Sequence, residues 1–274
     1  MTGKSDWQGK TGEGWAAQWQ RTDRSFGGAT EKLLARSREF PVRDVLDIGC
    51  GAGELSLALA RGHPQARVVG VDVSPQLIDV ARERGANLAN VGFELADAAA
   101  WQPGDGFAPE LLISRHGVMF FDNPPAAFAN LAALAAPHAS LLFSCFRAPR
   151  ENPFFTEIGK LLPAPSEAPD PRAPGPFAFA DPDHVTTILE SGGWQNIAFE
   201  PFDFAMVAGA GDDPVEDAMA YFRTIGPAAV ALREMPEAGR AATLEAVRGV
   251  VVANCRDGVV ALRASLWVVT AQRA

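Results

Sequence analysis

The sequence predicts an α/β fold: a seven-stranded, mostly parallel sheet with helices on both faces and a helical lid inserted between the last two strands. Three observations predict it. Short apolar runs alternate with helix-length periodic segments through the first half of the chain, which calls for right-handed crossovers and parallel pairing. A glycine-rich bend, Gly49-Cys50-Gly51-Ala52-Gly53, joins the first run to the first of these helices. Two further apolar runs near the C-terminus flank the helical residues 214–254.

Each element follows from local chemistry. Residues 1–40 read as an N-terminal helical cap, helical over 13–40 in two pieces broken near Gly27-Gly28. The core spans 41–146, with strands at 44–48, 67–73, 92–96, 110–114 and 140–146 and helices at 54–61, 75–84 and 124–136. Ser74 can cap a helix that Pro75 begins and Gly85 ends. Asp181, Pro182 and Gly192 repeat that arrangement. Between them, 147–180 is rich in proline and poor in periodic apolar positions, so it reads as an irregular lid segment. Its Phe154, Phe155, Leu161 and Leu162 form a short helical apolar patch. The C-terminal part, 181–274, supplies strands at 197–206 and 259–270, with the lid insertion 213–254 expected over the open edge of the site.

Composition narrows the function. Hydrophobic residues make up 47% and charged residues 21%, enough for a packed core. A net charge of -9 repels phosphate backbones, and no Lys/Arg cluster offsets it, so nucleic acid is not an expected partner. No apolar run approaches the ~20 residues of a membrane helix. The polar start lacks a signal-peptide pattern, so a cytoplasmic location is expected. Cys50, Cys145 and Cys255 lie far apart, and His63, His116, His138 and His184 lack ligand spacing, so no metal is expected.

The chemistry concentrates in Val45-Leu46-Asp47-Ile48-Gly49-Cys50-Gly51-Ala52-Gly53-Glu54, an apolar strand running into alternate glycines and then a helix. Glycine allows a sharp turn and lets a ligand lie against bare backbone. The helix N-terminus offers free N–H groups to a carboxylate. The GxGxxG/A dinucleotide fingerprint fails here, because Glu54 holds its last position. Asp47 and Glu54 would repel a pyrophosphate, whereas Asp47 would attract the ammonium of an amino acid. Asp72 ends the second strand about 20 residues on, where a carboxylate grips ribose hydroxyls. Asp97 ends the third strand, placed to accept from an adenine amino group. All three acids fall at the carboxyl ends of adjacent strands, the crevice where open α/β sheets bind ligands.

Over residues 43–146 this ordered set resembles the class I S-adenosylmethionine (SAM)-dependent methyltransferases, especially the small-molecule group related to the quinone-biosynthesis C-methyltransferases. The resemblance implies a Rossmann-like sheet, SAM as cofactor and S-adenosylhomocysteine (SAH) as product. It implies Gly49, Gly51 and Gly53 along the methionine part of SAM, with Cys50 a small residue of the same bend. It implies Asp72, with Val73 beside it, at the ribose, and Asp97 with Ala98 at the adenine. An N-terminal helix closes over the cofactor in similar proteins, which makes Trp15 and Trp19 candidates. Core packing explains those two tryptophans about as well.

Ser114-Arg115-His116-Gly117 follows the fourth strand, whose end faces the transferred methyl in this fold. Arg115 joins the cofactor-facing candidates, with capping or ion pairing as its plainer role. His116 stands where similar proteins commonly hold an apolar residue. It is a candidate general base, or else a hydrogen-bonded wall residue. Asp122-Asn123-Pro124-Pro125 reads as a turn that starts the next helix. The acceptor expected is a small, largely apolar molecule, with O-, N- and C-methylation all open. Phe154, Phe155, Phe177, Phe179, Tyr221 and Phe222 are candidates to line its pocket, though core packing explains each singly. A homodimer is compatible with the sequence. Two rival readings stay open: a non-catalytic protein holding SAM or SAH, and a nicotinamide-dependent oxidoreductase.

Overall fold

The computed structural model describes the whole chain except residues 1–2, 42, 105 and 164–169. Three N-terminal helices, α1 (Lys4–Gln8), α2 (Lys10–Ala17) and α3 (Trp19–Ser37), precede the sheet. The core then alternates: β1 (Asp44–Ile48), α4 (Glu54–Gly62), β2 (Arg67–Asp72), α5 (Pro75–Gly85), β3 (Val91–Leu95), β4 (Leu111–Arg115), α6 (Pro124–Leu134) and β5 (Ser140–Phe146). It continues through α7 (Pro153–Gly159), α8 (Pro182–Ser191) and the long strand β6 (Trp194–Ala210). Helices α9 (Pro214–Thr224), α10 (Gly226–Glu234) and α11 (Glu237–Ala253) lead to β7 (Cys255–Arg256) and β8 (Val259–Arg273).

The strands lie in the order β3-β2-β1-β4-β5-β8-β6. Pairings among β1 to β5 are parallel, and β8 runs antiparallel to both β5 and β6. Helices cover both faces, so the central strands are apolar without alternation: every residue of β5 is buried. Chain order reverses between β1 and β4, which opens a crevice at their carboxyl ends. The expected caps are in place. Ser74 Oγ accepts from Leu77 N–H, Asn123 accepts from Ala126 N–H ahead of Pro124, and Asp181 accepts from Asp183 N–H.

Two differences from the sequence reading have physical causes. Helix α3 runs unbroken through Gly27-Gly28, and the interruption falls at Gln18. A Cβ on Gly28 would sit 2.9 Å from Phe204 Cδ2, so the missing side chain lets the helix lie against β6. Tertiary packing outweighs the helix-breaking preference of glycine there. The eighth strand, β7, was not expected. It pairs with the start of β8 across Asp257-Gly258, both at positive φ (50° and 77°). Two central residues of that kind make the tight primed turn that suits a twisted hairpin.

The insertion α9–α11 is anchored at the end of β6. A Cβ on Gly209 would fall 2.0 Å from the Pro214 carbonyl oxygen and 2.7 Å from Ala218 N, so strand and helix backbones touch. Asp217 on α9 then receives Arg21 Nε at 2.7 Å and Arg24 Nη2 at 2.6 Å, both from α3. Forcing a methyl into such a contact costs about 1–3 kcal/mol. Gly209→Ala should therefore lower the free energy of unfolding by about that amount, read from urea denaturation; an unchanged midpoint would mean that α9 does not depend on this close approach.

Candidate functional site

Beyond Ile48 the chain turns through Gly49, Gly51 and Gly53, all in the left-handed region with φ of 66°, 55° and 84°. Residues with a Cβ avoid that region, so the alternate glycines are a backbone requirement. Two of them also meet neighbours closely. A Cβ on Gly49 would lie 2.8 Å from Gly117 Cα, and one on Gly53 would lie 2.9 Å from the Phe93 ring. Gly51 faces open space. The loop after β4 is pinned to the same bend, because Ser114 Oγ donates to the Ile48 carbonyl at 2.7 Å and accepts Gly117 N–H at 3.0 Å.

Asp72, at the end of β2, accepts Gly51 N–H on one oxygen and Ser74 N–H on the other, each at 2.9 Å. Burial raises its carboxyl above the ordinary range despite those bonds. Asp47 is buried one strand away and accepts the Ser56 hydroxyl at 2.5 Å. Burial pushes its pKa up to about 6, against the opposing pull of Ser56 and Arg115. Asp97 is half-buried, accepts Ala99 N–H at 3.0 Å and pairs with Lys4 Nζ at 2.8 Å.

A cavity of about 300 Å³ occupies the crevice. Asp47, Gly49, Cys50 and Gly51 border it from the bend. Asp72 and Val73 border it from β2, and Asp97 and Ala98 from beyond β3. Arg115, His116 and Trp15 also reach it. Gly53 and Trp19 do not. Gly53 packs on Phe93, and Trp19 lies under the Arg84 guanidinium at 3.9 Å. The roof comes from the N-terminal helices, through Lys4, Trp7, Trp15, Asp23 and Phe26. Trp7 meets Trp15 and Phe120 edge-on at 5.2 Å each, and Trp15 stacks on Phe26 at 6.0 Å.

The expected lids sit elsewhere: no described residue of 147–180 or 213–254 borders the cavity. The insertion acts on the roof through its grip on α3 and through the approach of the Thr224 carbonyl to Gly14 on α2. Lys4, Trp7, Asp23 and Phe26 were absent from the sequence candidates. A tryptophan in an otherwise polar leader was the one signal that could have flagged Trp7.

A half-buried ionic network lies at the cavity wall. Arg84 donates to Asp23 and to the Ala52 carbonyl at 2.7 Å each. Arg115 donates to Thr30 Oγ1 at 2.7 Å and is ion-paired with Glu54. Burial and the nearby Glu54 raise Asp23 to about 6. Among the lining residues, five carboxylates (Asp23, Asp47, Asp72, Asp97, Asp122) face two cations, Lys4 and Arg115, and both cations are already paired. Such a cavity favours a ligand carrying positive charge.

His116 adopts left-handed backbone, φ 66°, and its N–H donates to the Ser144 carbonyl at 3.2 Å. Its ring stacks on Phe146 at 4.5 Å and meets Phe26 at 5.2 Å. Nδ1 lies 3.2 Å from Ser144 Oγ, while the buried Nε2 has no partner among the described residues. Burial, helped by the charge on Arg115, lowers its pKa to about 3. The ring is thus neutral near pH 7 and a poor proton acceptor, which disfavours the general-base expectation. Among the described residues no group of three or more His, Cys, Asp or Glu could hold a metal, and no helix is long and apolar enough to cross a membrane.

Residues 45–138 match a family model described as a methyltransferase domain. A trans-aconitate 2-methyltransferase from Paracidovorax citrulli is 38% identical over 106 residues, 39% of this chain and 40% of that protein. A malonyl-[acyl-carrier protein] O-methyltransferase from Hahella chejuensis is 32% identical over 114 residues, covering 42% and 40%. The chain thus spans about two fifths of the length of these curated relatives. The solved magnesium protoporphyrin IX methyltransferase from Synechocystis, with bound SAH, shares the fold at a TM-score of 0.56 and 16% identity, over 99% of this chain and 98% of that one. The glycine bend, the switch-point crevice and this match fall in one stretch, so residues 45–138 are similar in sequence to a methyltransferase domain and share the fold of solved SAM-dependent methyltransferases.

Proposed function

We propose that the chain is an enzyme that transfers the methyl group of SAM to a small, largely apolar molecule. The observation that carries this reading is the charge of the crevice: carboxylates from three adjacent strand ends border one cavity with an open glycine backbone beside them. SAM brings a sulfonium and an ammonium against a single carboxylate, so it suits that field, whereas the pyrophosphate of a nicotinamide cofactor does not. Bound SAM supplies an already activated methyl group. Asp72 is the candidate ribose partner, since each of its oxygens keeps acceptor capacity after one backbone bond. Asp47 is the candidate electrostatic partner of the ammonium. Asp97 and Ala98 flank the expected adenine position, where Lys4 now occupies one Asp97 oxygen. Trp7, Trp15 and Phe26 keep water out, and positioning a nucleophile in such a site supplies about 7–11 kcal/mol when it is near attack.

The acceptor differs in kind from that named for the first relative. Trans-aconitate is a tricarboxylate, and both cations bordering this cavity are already engaged. An apolar acceptor fits the aromatic roof.

Two outcomes follow for binding. Asp72→Ala should weaken SAM binding by about 30-fold or more, since a charged hydrogen-bond acceptor contributes about 1.5–3 kcal/mol and the bend loses its brace. Calorimetry that returns wild-type affinity for this variant would refute the assignment. The second outcome concerns pH. Asp47 has a folded pKa of about 6 against an ordinary 3.8, so its contribution to stability is present below pH 4 and is lost as pH rises through 6. A cationic ligand needs the ionised form, so SAM affinity should rise about tenfold between pH 5 and pH 7. Asp47→Asn should shrink that slope; a slope equal to wild type would remove Asp47 from the ammonium site.

A further inference from the structure

The methyl-transfer reading leaves one buried polar atom unexplained. His116 borders the cavity, yet its Nε2 has no partner among the described residues. Its Nδ1 lies 3.2 Å from the Ser144 hydroxyl, within hydrogen-bond distance. A neutral imidazole has one N–H and one lone pair. In the tautomer whose Nδ1 donates to the Ser144 hydroxyl oxygen, the lone pair is on Nε2. A buried acceptor without a donor is unfavourable and invites a ligand group that supplies one.

The surroundings describe that ligand. From His116 a series of rings leads away from the cavity: Phe146 at 4.5 Å, then Phe155 4.8 Å beyond it, then Phe154 after 5.3 Å. The series ends at Phe222, 5.5 Å from Phe154, beside a small hollow between α7 and α10. That series packs behind the cavity, and rings that border the cavity itself, Phe26 beside His116 together with Trp15 and Phe120, are the ones an aromatic guest can meet. On the other side, the cavity carries five carboxylates and no uncommitted cation among its lining residues, so an anion is repelled.

Building on the methyl-transfer reading, we propose that His116 is a specificity-determining residue whose Nε2 accepts a hydrogen bond from the hydroxyl or N–H of an uncharged aromatic acceptor seated in the cavity against Phe26. The group to be methylated is thereby held by a fixed, neutral acceptor; on transfer its oxygen or nitrogen bonds the methyl carbon as the S–CH3 bond of SAM breaks to leave SAH, and the proton departs to bulk solvent once the site opens for product release.

The test uses the full-length chain loaded with SAH and three probes on the same naphthalene frame in equilibrium dialysis: 1-naphthol, 1-methoxynaphthalene and 1-naphthoate. The expected result is that 1-naphthol binds about tenfold more tightly than either of the others. His116→Phe, which keeps an aromatic ring, should erase the preference for naphthol over methoxynaphthalene. His116→Gln, whose amide oxygen reaches about as far as Nε2, should restore part of it. Equal binding of the three probes by the wild type, no binding of any, or a preference that survives His116→Phe would overturn the proposal. The wild-type comparison stands alone should the Phe variant fail to fold. Failure of the wild type to bind SAH at all would instead overturn the methyl-transfer reading beneath it.

Discussion

The carboxylate of Asp72 is the constraint on which the crevice depends. It receives Gly51 N–H from the bend after β1 and Ser74 N–H from the turn into α5, so one side chain fixes two loops from different strands. The other holds on the bend are to its backbone: Gly49 and Cys50 N–H donate to the Val71 carbonyl, and Arg84 donates to the Ala52 carbonyl. The bend is glycine at every second position, and its value lies in exposing backbone rather than in packing side chains. On the far side the Gly49–Gly117 approach serves the same end, because two residues without Cβ atoms let the β1 and β4 loops touch. The rim is thus rigid while remaining bare, which is what a ligand lying along the backbone requires.

The roof is organised on a different principle. Aromatic rings of α1–α3 lie over the cavity, but the attachment of α3 is distant. Ser25 donates to the Val207 carbonyl at 2.7 Å, and Arg21 and Arg24 meet Asp217 on α9. The C-terminal insertion therefore buttresses the N-terminal cap, while none of its described residues borders the cavity. Exposed ion pairs contribute little singly, but Asp217 is shielded, shared by two arginines and also accepts Ala210 N–H, a geometry that orients α3.

Much of this was legible in the sequence. Strand–helix alternation announced the parallel sheet, and the spacing of Asp47, Asp72 and Asp97 from the glycines brought all three to one rim, because each lies at the end of an adjacent strand. What was not legible depended on partners remote in sequence. Gly27-Gly28 looked like a break, since nothing nearby reveals that Phe204 lies against the helix at that point. Lys4 and Trp7 sat in a leader that composition marks as polar, and only the fold carries them to Asp97 and Phe120. His116 read as a titrating residue because its spacing to β4 was visible, whereas the two phenylalanines that bury it come from α3 and β5. Asp257-Gly258 is a fair hairpin signal that a long apolar run concealed.

The end of β6 carries one more consequence. This strand is the last in the sheet, and an outermost strand offers unpaired carbonyl and amide groups to any neighbouring polypeptide. Over its final residues those groups are engaged by side chains of the same molecule: Ser25 on the Val207 carbonyl, Arg24 on the Ala208 carbonyl and Asp217 on the Ala210 amide. The contacts that hold the cap down also blunt this margin, so a second molecule in a crowded solution finds no free ladder there on which to grow.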